Sequence, residues 1–502
     1  MYILHVASEF APLAKVGGLG DVVHGLAKEQ ALLGHQVEVI LPKYDIIEPK
    51  NLKNFSLSMP DLWSFEDSSR FHNAVWSGFM DQIKVHLIEP HHNSYYFNRG
   101  KIYGTPDDVE RFLYFCRTAC EFLHLKKEKP DIIHLHDWPT ASLAPIIKHI
   151  YRDLGFSYGS IVLTIHNIEH QGICQPANLS RIGLRGEDFR TEERLQDPKY
   201  PNMLNLLKGG IVYSDLFTTV SPTYAKEIMT PPSSFGLDQV IKKFELNFRG
   251  ILNGIDLETW DPSKDPNVHS PYGTNPTFIE NIRKSKQINK EALFLKLGMK
   301  PSKGPLIACI TRLAKQKGPK LILEAIDYTL KQNGSFILLG SSIDPEFEID
   351  FQNLERLYKN HPHFHAKLSF DEELSHSLFA SADAIFIPSL FEPCGLTQMI
   401  GMRYATLPIV RKTGGLADTV FDLEDSKIPL TLRNGFTFEN PDQPSVEKVL
   451  KRVITCYQND KNRWKQLMQN ALSTNHSWKK SALVYELLYK ESIKKAFPFK
   501  AA

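Results

Sequence analysis

No two cysteines in this chain are spaced as CxxC, and the six present, at 116, 120, 174, 309, 394 and 456 of 502 residues, are too scattered for a disulfide framework. No run approaches the roughly 18 apolar residues that a membrane span needs. Met1 to Phe10 has neither a basic n-region nor a small-residue cleavage site. Together these absences point to a protein of the reducing cytoplasm, without membrane attachment. Charge of one sign is lacking too: 59 Lys and Arg face 57 Asp and Glu, a net charge of +2, so no bulk field recruits nucleic acid, and any anion site must be local. The dinucleotide fingerprint GxGxxG is missing, which argues against a nicotinamide-dependent oxidoreductase.

What is present is the composition of an ordinary globular protein, 42% hydrophobic and 23% charged, in a chain longer than one hydrophobic core usually serves. Short β-branched runs alternate with helical periods in two blocks. The first holds "YILHVAS", "QVEVILP", "IKVHLIEP", "DIIHLH", "SIVLTIH" and "LFTTVS"; the second holds "PLIACITR", "SFILLG", "FHAKLSF", "AIFIPS" and "LPIVRKT". A polar stretch near residues 262 to 280 separates them. This rhythm predicts an α/β protein of two Rossmann-like, doubly wound domains facing across a cleft, with ligands outside the carboxyl ends of the strands.

The loops after those strands carry the chemistry. In "KVGGLGDVV" (15 to 23), Gly17, Gly18 and Gly20 allow backbone amides near a ligand, ahead of a helix expected from Asp21, and Lys15 adds a cation. In "TRLAKQKG" (311 to 318), Arg312 and Lys317 stand five residues apart just past a strand, a pair suited to a diphosphate. In "EPCGLTQM" (392 to 399), Glu392 is placed on the turn, with Cys394 a candidate for plain packing and Gly395, Leu396 and Thr397 at a helix start. His134, His136 and Asp137 have a spacing that could hold zinc, i and i+2 sharing one strand face. Asp137 and Trp138 are instead read as cleft residues, and no metal is expected.

With "HLHDW" (134 to 138), "TIHN" (164 to 167), "LLKGGIVYSD" (206 to 215), "TVSPTYAKEI" (219 to 228), "GILNGID" (250 to 256) and "TGGLADTV" (413 to 420) added in order, the chain resembles the bacterial glycogen synthases and plant starch synthases nearly end to end. The resemblance implies a GT-B glycosyltransferase that moves glucose from ADP-glucose to the non-reducing end of an α-1,4-glucan, glycogen or a malto-oligosaccharide, with retention of configuration. It implies residues 1–248 and 480–502 in one domain and 249–479 in the other, with a hinge near 249 to 256. It assigns Lys15, Gly18 and Asp21 to the donor, Arg312 and Lys317 to its diphosphate, and His166 and Asn167 to the transferred glucose. Asp137, Asn253 and the 394 to 397 turn complete the implied substrate contacts, and Glu392, Arg312, Lys317 and His166 are the implied catalytic residues. No Asp-x-Asp, the usual signature of a metal-held sugar nucleotide, occurs in the chain, which agrees with protein cations in place of an ion and with no cofactor.

Val16 and Gly20 stand where many bacterial relatives have Thr and Ala, although plant starch synthases resemble this version, and Ile400 stands where related GT-B enzymes carry a second glutamate. Residues 178 to 202 offer an acceptor loop or an insertion. UDP-glucose as donor and a catalytically silent glucan-binding homologue stay open as alternatives. A glucan phosphorylase would require a pyridoxal phosphate lysine. Oligomeric state is not legible.

Overall fold

The computed structural model describes residues 1–341 and 343–496; the residues expected to join the first domain at 497–502 lie outside them. The chain divides into two compact units, Met1–Gly254 together with the chain from Trp478 onward, and Ile255–Ser477.

The first unit holds β1 (Tyr2–Val6), β2 (Gln36–Pro42), β3 (Lys53–Glu66), β4 (Ser69–Met80), β5 (Ile83–Pro90), β6 (Ile132–His136), β7 (Ser160–Ile165), β8 (Ile173–Cys174), β9 (Leu204–Asn205), β10 (Leu216–Thr219) and β11 (Phe248–Gly250). Nine form one sheet in the order β11-β10-β7-β6-β1-β2-β5-β4-β3, while β8 and β9 make a separate small ribbon. From β11 to β5 all pairs are parallel. Central strands such as β6 and β7 are buried at every residue, so they read as apolar runs rather than as alternating patterns.

The edge was not anticipated from the sequence. There β3 and β4 add an antiparallel hairpin. Along β3, Leu62, Ser64 and Glu66 turn inward while Trp63 and Phe65 are exposed, and Pro60 is tolerated because the strand is an edge.

The last helix, Trp478–Ala496, closes this unit. Trp478, Ala482, Tyr485, Leu488 and Tyr489 pack with Ile3 of β1, Val22 and Leu26 of the helix Gly18–Leu32, Ile132 of β6 and Val162 of β7. Gly25 makes room for it: a β-carbon there would lie 2.0 Å from the Trp478 indole nitrogen.

The second unit holds β12 (Leu306–Arg312), β13 (Ser335–Ser341), β14 (Phe364–Lys367), β15 (Ala384–Ile387), β16 (Leu407–Arg411) and β17 (Phe436–Phe438), all parallel in the order β14-β13-β12-β15-β16-β17. Its sixth strand, three residues long, carries too little pattern to be read from sequence. Leu293, Phe294, Leu374 and Leu378 cover Leu306, Ala308 and Ile337 on one face. Among the described residues no helix is long and apolar enough to cross a membrane.

Candidate active site

At the carboxyl end of β1 the chain turns through the glycine-rich loop into the helix Gly18–Leu32, which starts three residues earlier than expected. The loop amides are not all open to a ligand. Glu9, buried at 4% exposure, accepts from Val16 N at 2.7 Å and Gly17 N at 3.1 Å, and its other oxygen accepts from Tyr103 OH at 3.0 Å. A protein carboxylate thus occupies part of the cradle expected for substrate. Lys15 and Asp21 are brought together, Nζ donating to Oδ1 at 2.8 Å on a partly exposed surface. Gly18 is exposed at the helix start.

The ends of β6 and β7 meet through Asp137. Its Oδ1 accepts from the backbone N–H of His166 at 2.7 Å and of Asn167 at 3.3 Å, while its own N–H donates to Thr164 O at 3.0 Å. Asp137 adopts φ +58° and ψ −175°, a conformation costly for any residue but glycine. Such strain persists only where the surroundings enforce it, and it concentrates at functional sites. Burial, opposed by those two amides, raises the Asp137 carboxyl to about 7. Asn167 Oδ1 caps Glu169 N at 3.1 Å. Asn253 is buried, and its Oδ1 has no hydrogen-bond partner among the described residues.

His134 and His136 point into the core rather than toward Asp137, and the third member of their cluster is His5, whose ligand atoms lie with theirs within 4.8 Å of one another. The sequence-based grouping of His134 and His136 with Asp137 is therefore replaced by a triple histidine. All six ring nitrogens of that triple are engaged. His5 Nδ1 meets His136 Nε2 at 3.0 Å and His5 Nε2 meets Gln30 Oε1 at 2.8 Å. His134 contacts Tyr489 OH at 2.8 Å and Thr164 Oγ1 at 2.6 Å, and His136 Nδ1 contacts His166 Nε2 at 3.0 Å. An ion would have to displace these bonds.

In the second unit Lys317 Nζ donates to Glu392 Oε2 at 2.6 Å, and Ser389 Oγ donates to the same oxygen at 2.8 Å. Gly318, at φ +68°, turns the chain after Lys317 so tightly against Pro388 O that a β-carbon would sit 2.6 Å away. Arg312, at the end of β12, is exposed, and its guanidinium makes no hydrogen bond or ion pair among the described residues.

The turn after Glu392 is fixed by its carbonyls. Gly415 N donates to Glu392 O at 3.0 Å, and Gln398 Nε2 donates to Cys394 O at 3.1 Å and Gly395 O at 2.9 Å. Gly415 carries no side chain because a β-carbon would meet Cys394 O at 2.1 Å, and Gly395 has φ +76°. Cys394 is buried; Leu396 precedes the helix Thr397–Arg403 and accepts Ile400 N at 2.9 Å. Ile400 is buried.

Residues 178 to 202 form an ordered segment with the short helix Gly186–Phe189. The buried Lys208 ties it down, donating to Glu192 O and Gln196 O at 2.7 Å each. Glu9, His5, Gln30, Tyr489 and Lys208 were not picked out from sequence. Glu9 and His5 lie inside the quoted first strand and its exit, but nothing in their spacing distinguishes them from core or surface residues.

Residues 2–243 match the family described as "Starch synthase catalytic domain", and residues 293–471 match "Glycosyl transferases group 1". The chain is 45% identical over 493 residues to "Glycogen synthase" of Protochlamydia amoebophila, covering 97% of this chain and 99% of that one. It is 43% identical to "Probable starch synthase 4, chloroplastic/amyloplastic" of Arabidopsis thaliana over 99% of this chain and 47% of that protein. The solved catalytic domain of starch synthase IV from Arabidopsis thaliana, bound to ADP and acarbose, superposes with TM-score 0.93 over 98% of this chain and 99% of that one, at 43% identity.

Proposed function

Because the chain belongs to the family of glycogen and starch synthases, glycosyltransferases of the GT-B fold that transfer glucose to a glucan, we propose that it draws that glucose from ADP-glucose, lengthens the non-reducing end of an α-1,4-glucan with retention, and releases ADP. The observation that carries the donor side is the Lys317–Glu392 pair at 2.6 Å, with the Arg312 guanidinium, five residues earlier, unpaired among the described residues. Cleavage of the anomeric bond builds negative charge on the departing diphosphate, and preorganised cations stabilise that charge most when they are already in place. Glu392 fixes one ammonium group in position, and Arg312 has its full guanidinium to offer. A relative solved with ADP bound supports the nucleotide.

In this reading Lys15, Gly18, Asp21, Asn253, Cys394, Gly395, Leu396 and Thr397 contact the donor. Asp137 orients the His166 and Asn167 backbone toward the transferred glucose. His166 offers a neutral imidazole to a glucose hydroxyl, because burial pushes its ring down to about 3. The acceptor hydroxyl attacks on the face from which the diphosphate departs. Arg312 and Lys317 serve in place of a metal, so turnover needs no divalent ion. The enzyme is read as cytoplasmic, acting on glycogen or malto-oligosaccharide and not on nucleic acid or membrane.

Incubating the purified protein with ADP-glucose or UDP-glucose and a malto-oligosaccharide, with and without EDTA, tests all of this. ADP release matched by chain lengthening and unaffected by EDTA is expected. Preference for UDP-glucose, or an EDTA loss restored by a divalent ion, overturns the corresponding part, and no turnover with either donor leaves the silent homologue as the better reading.

A further inference from the structure

The buried polar network behind His166 is continuous. From the partly buried His166 it runs through His136 and His5 to Gln30, whose Nε2 donates to Tyr489 OH at 3.0 Å. Tyr489 OH contacts His134, and His134 contacts Thr164, which contacts Thr218 at 2.7 Å. His5, His134, His136, Thr164 and Thr218 are 0% exposed, and Gln30 is 1%. The rungs come from four parallel strands in register, His5 lying opposite His134, His136 opposite Thr164 and Thr164 opposite Thr218. Gln30 and Tyr489 come from the helices Gly18–Leu32 and Trp478–Ala496.

Burial favours the neutral form of every imidazole in this hydrogen-bonded series. Burial lowers His5 to about 4 and His166 to about 3, and drives His134 and His136 well below their ordinary value. A neutral ring has one N–H and one lone pair, so it can only pass hydrogen-bond polarity along, donor on one side and acceptor on the other. Three such rings in series therefore have two collective states and no independent ones. The end group selects between them. Gln30 presents Oε1 to His5, which requires the His5 proton on Nε2 and leaves Nδ1 to accept from His136 Nε2–H. His136 Nδ1 must then accept from His166 Nε2–H.

We propose that Gln30, its amide oriented by Tyr489, is a positioning residue that acts through His5 and His136 to hold His166 as the Nε2–H tautomer with an unprotonated Nδ1. That Nδ1 has no hydrogen-bond partner among the described residues, so it is available to accept from a hydroxyl. This deepens the assignment of His166 to the transferred glucose and rests on it: a sugar hydroxyl would donate to Nδ1, whereas the opposite tautomer would make Nδ1 the donor and reverse the polarity of that bond. The last helix is thereby coupled to the site through Tyr489, about 15 Å or more of hydrogen-bonded side chains taken at ordinary bond lengths.

Nitrogen NMR of the protein labelled at the histidine rings tests the tautomer without reference to activity. His166 protonated at Nε2 in the wild type, becoming mixed or reversed in Gln30→Met, is expected; an Nδ1–H form in the wild type, or an unchanged Nε2–H form in Gln30→Met, overturns the proposal. Tyr489→Phe keeps the packed ring and removes only the hydroxyl, so it serves if Gln30→Met does not fold, with the same two outcomes. In assays with ADP-glucose both variants should lose about 10- to 100-fold in kcat with a smaller change in acceptor KM, the range for removing a group that orients a working histidine. If the tautomer shifts while both these variants and His166→Ala keep full turnover, the network stands and the placement of His166 at the glucose falls. If His166→Ala loses turnover and the tautomer does not respond to Gln30, the placement stands and the network's control falls.

Discussion

Replacing Lys317 by alanine perturbs two things that can be separated. The Lys317 side chain is 18% exposed and that of Glu392 is 8% exposed, so removing the ammonium strands a carboxylate that keeps only Ser389 Oγ, at 2.8 Å, as a side-chain donor. Breaking a fully buried pair costs about 3–5 kcal/mol, and the residual exposure with the Ser389 bond brings the expected loss to about 2–3 kcal/mol. For a unit the size of Ile255–Ser477 that corresponds to a fall of about 4–12 °C in its calorimetric transition. Turnover should fall separately by about 10²- to 10³-fold, the range for deleting one preorganised group opposite developing charge. The double variant Lys317→Ala with Glu392→Gln distinguishes the two effects. A neutral amide needs no counter-ion, so thermal stability should return to within a few degrees of wild type while turnover stays low. Recovery of turnover along with stability would show that Lys317 serves the fold and not the diphosphate, and full turnover in the single variant would refute the assignment outright.

The alternation of strand and helix was legible because a parallel sheet covered on both faces leaves continuous apolar runs, as in "DIIHLH" and "SIVLTIH". The hairpin of β3 and β4 was not, because an edge strand exposes Trp63 and Phe65, tolerates Pro60 and so breaks the periodicity. The strand-end loops that carry Lys15 in the first unit and Arg312, Lys317 and Glu392 in the second were legible as charge beside glycine after a strand. Pairing was not legible. Sequence spacing gives no sign that Lys15 reaches Asp21, that Lys317 reaches Glu392 across 75 residues, or that Glu9 takes two loop amides. The same limit produced the zinc-like grouping of His134, His136 and Asp137. Alternation on the strand does place the two histidines on one face, but the positive φ of Asp137 turns its carboxylate to the next strand end, and only sheet order reveals His5 as the neighbour.

Arg312→Ala should lower turnover by about 10²-fold or more and leave the unfolding transition unmoved, since the Arg312 side chain is exposed without a partner among the described residues; a large loss of stability would contradict that geometry. Gly25→Ala drives a methyl into the Trp478 indole, so it should cost about 1–3 kcal/mol and make the last helix easier to cleave in limited proteolysis; an unchanged digestion pattern would show that the helix does not depend on this contact. Asp137→Asn should change how stability depends on pH. With the folded carboxyl raised from 3.8 to about 7, the native state binds more protons than the unfolded chain between those values, so wild-type stability falls as pH rises through that window and the full cost is present above it. Asparagine keeps an oxygen for the His166 and Asn167 amides, tolerates positive φ and does not titrate. The gap between the two values corresponds to about 4 kcal/mol at 1.4 kcal/mol per tenfold, which the partial exposure of Asp137 reduces to about 1–3 kcal/mol. Denaturant unfolding at a series of pH values should therefore find the variant close to wild type near pH 4 and more stable above pH 7. Parallel curves for the two proteins would mean that Asp137 is ionised in the native state throughout, and that burial does not hold its proton.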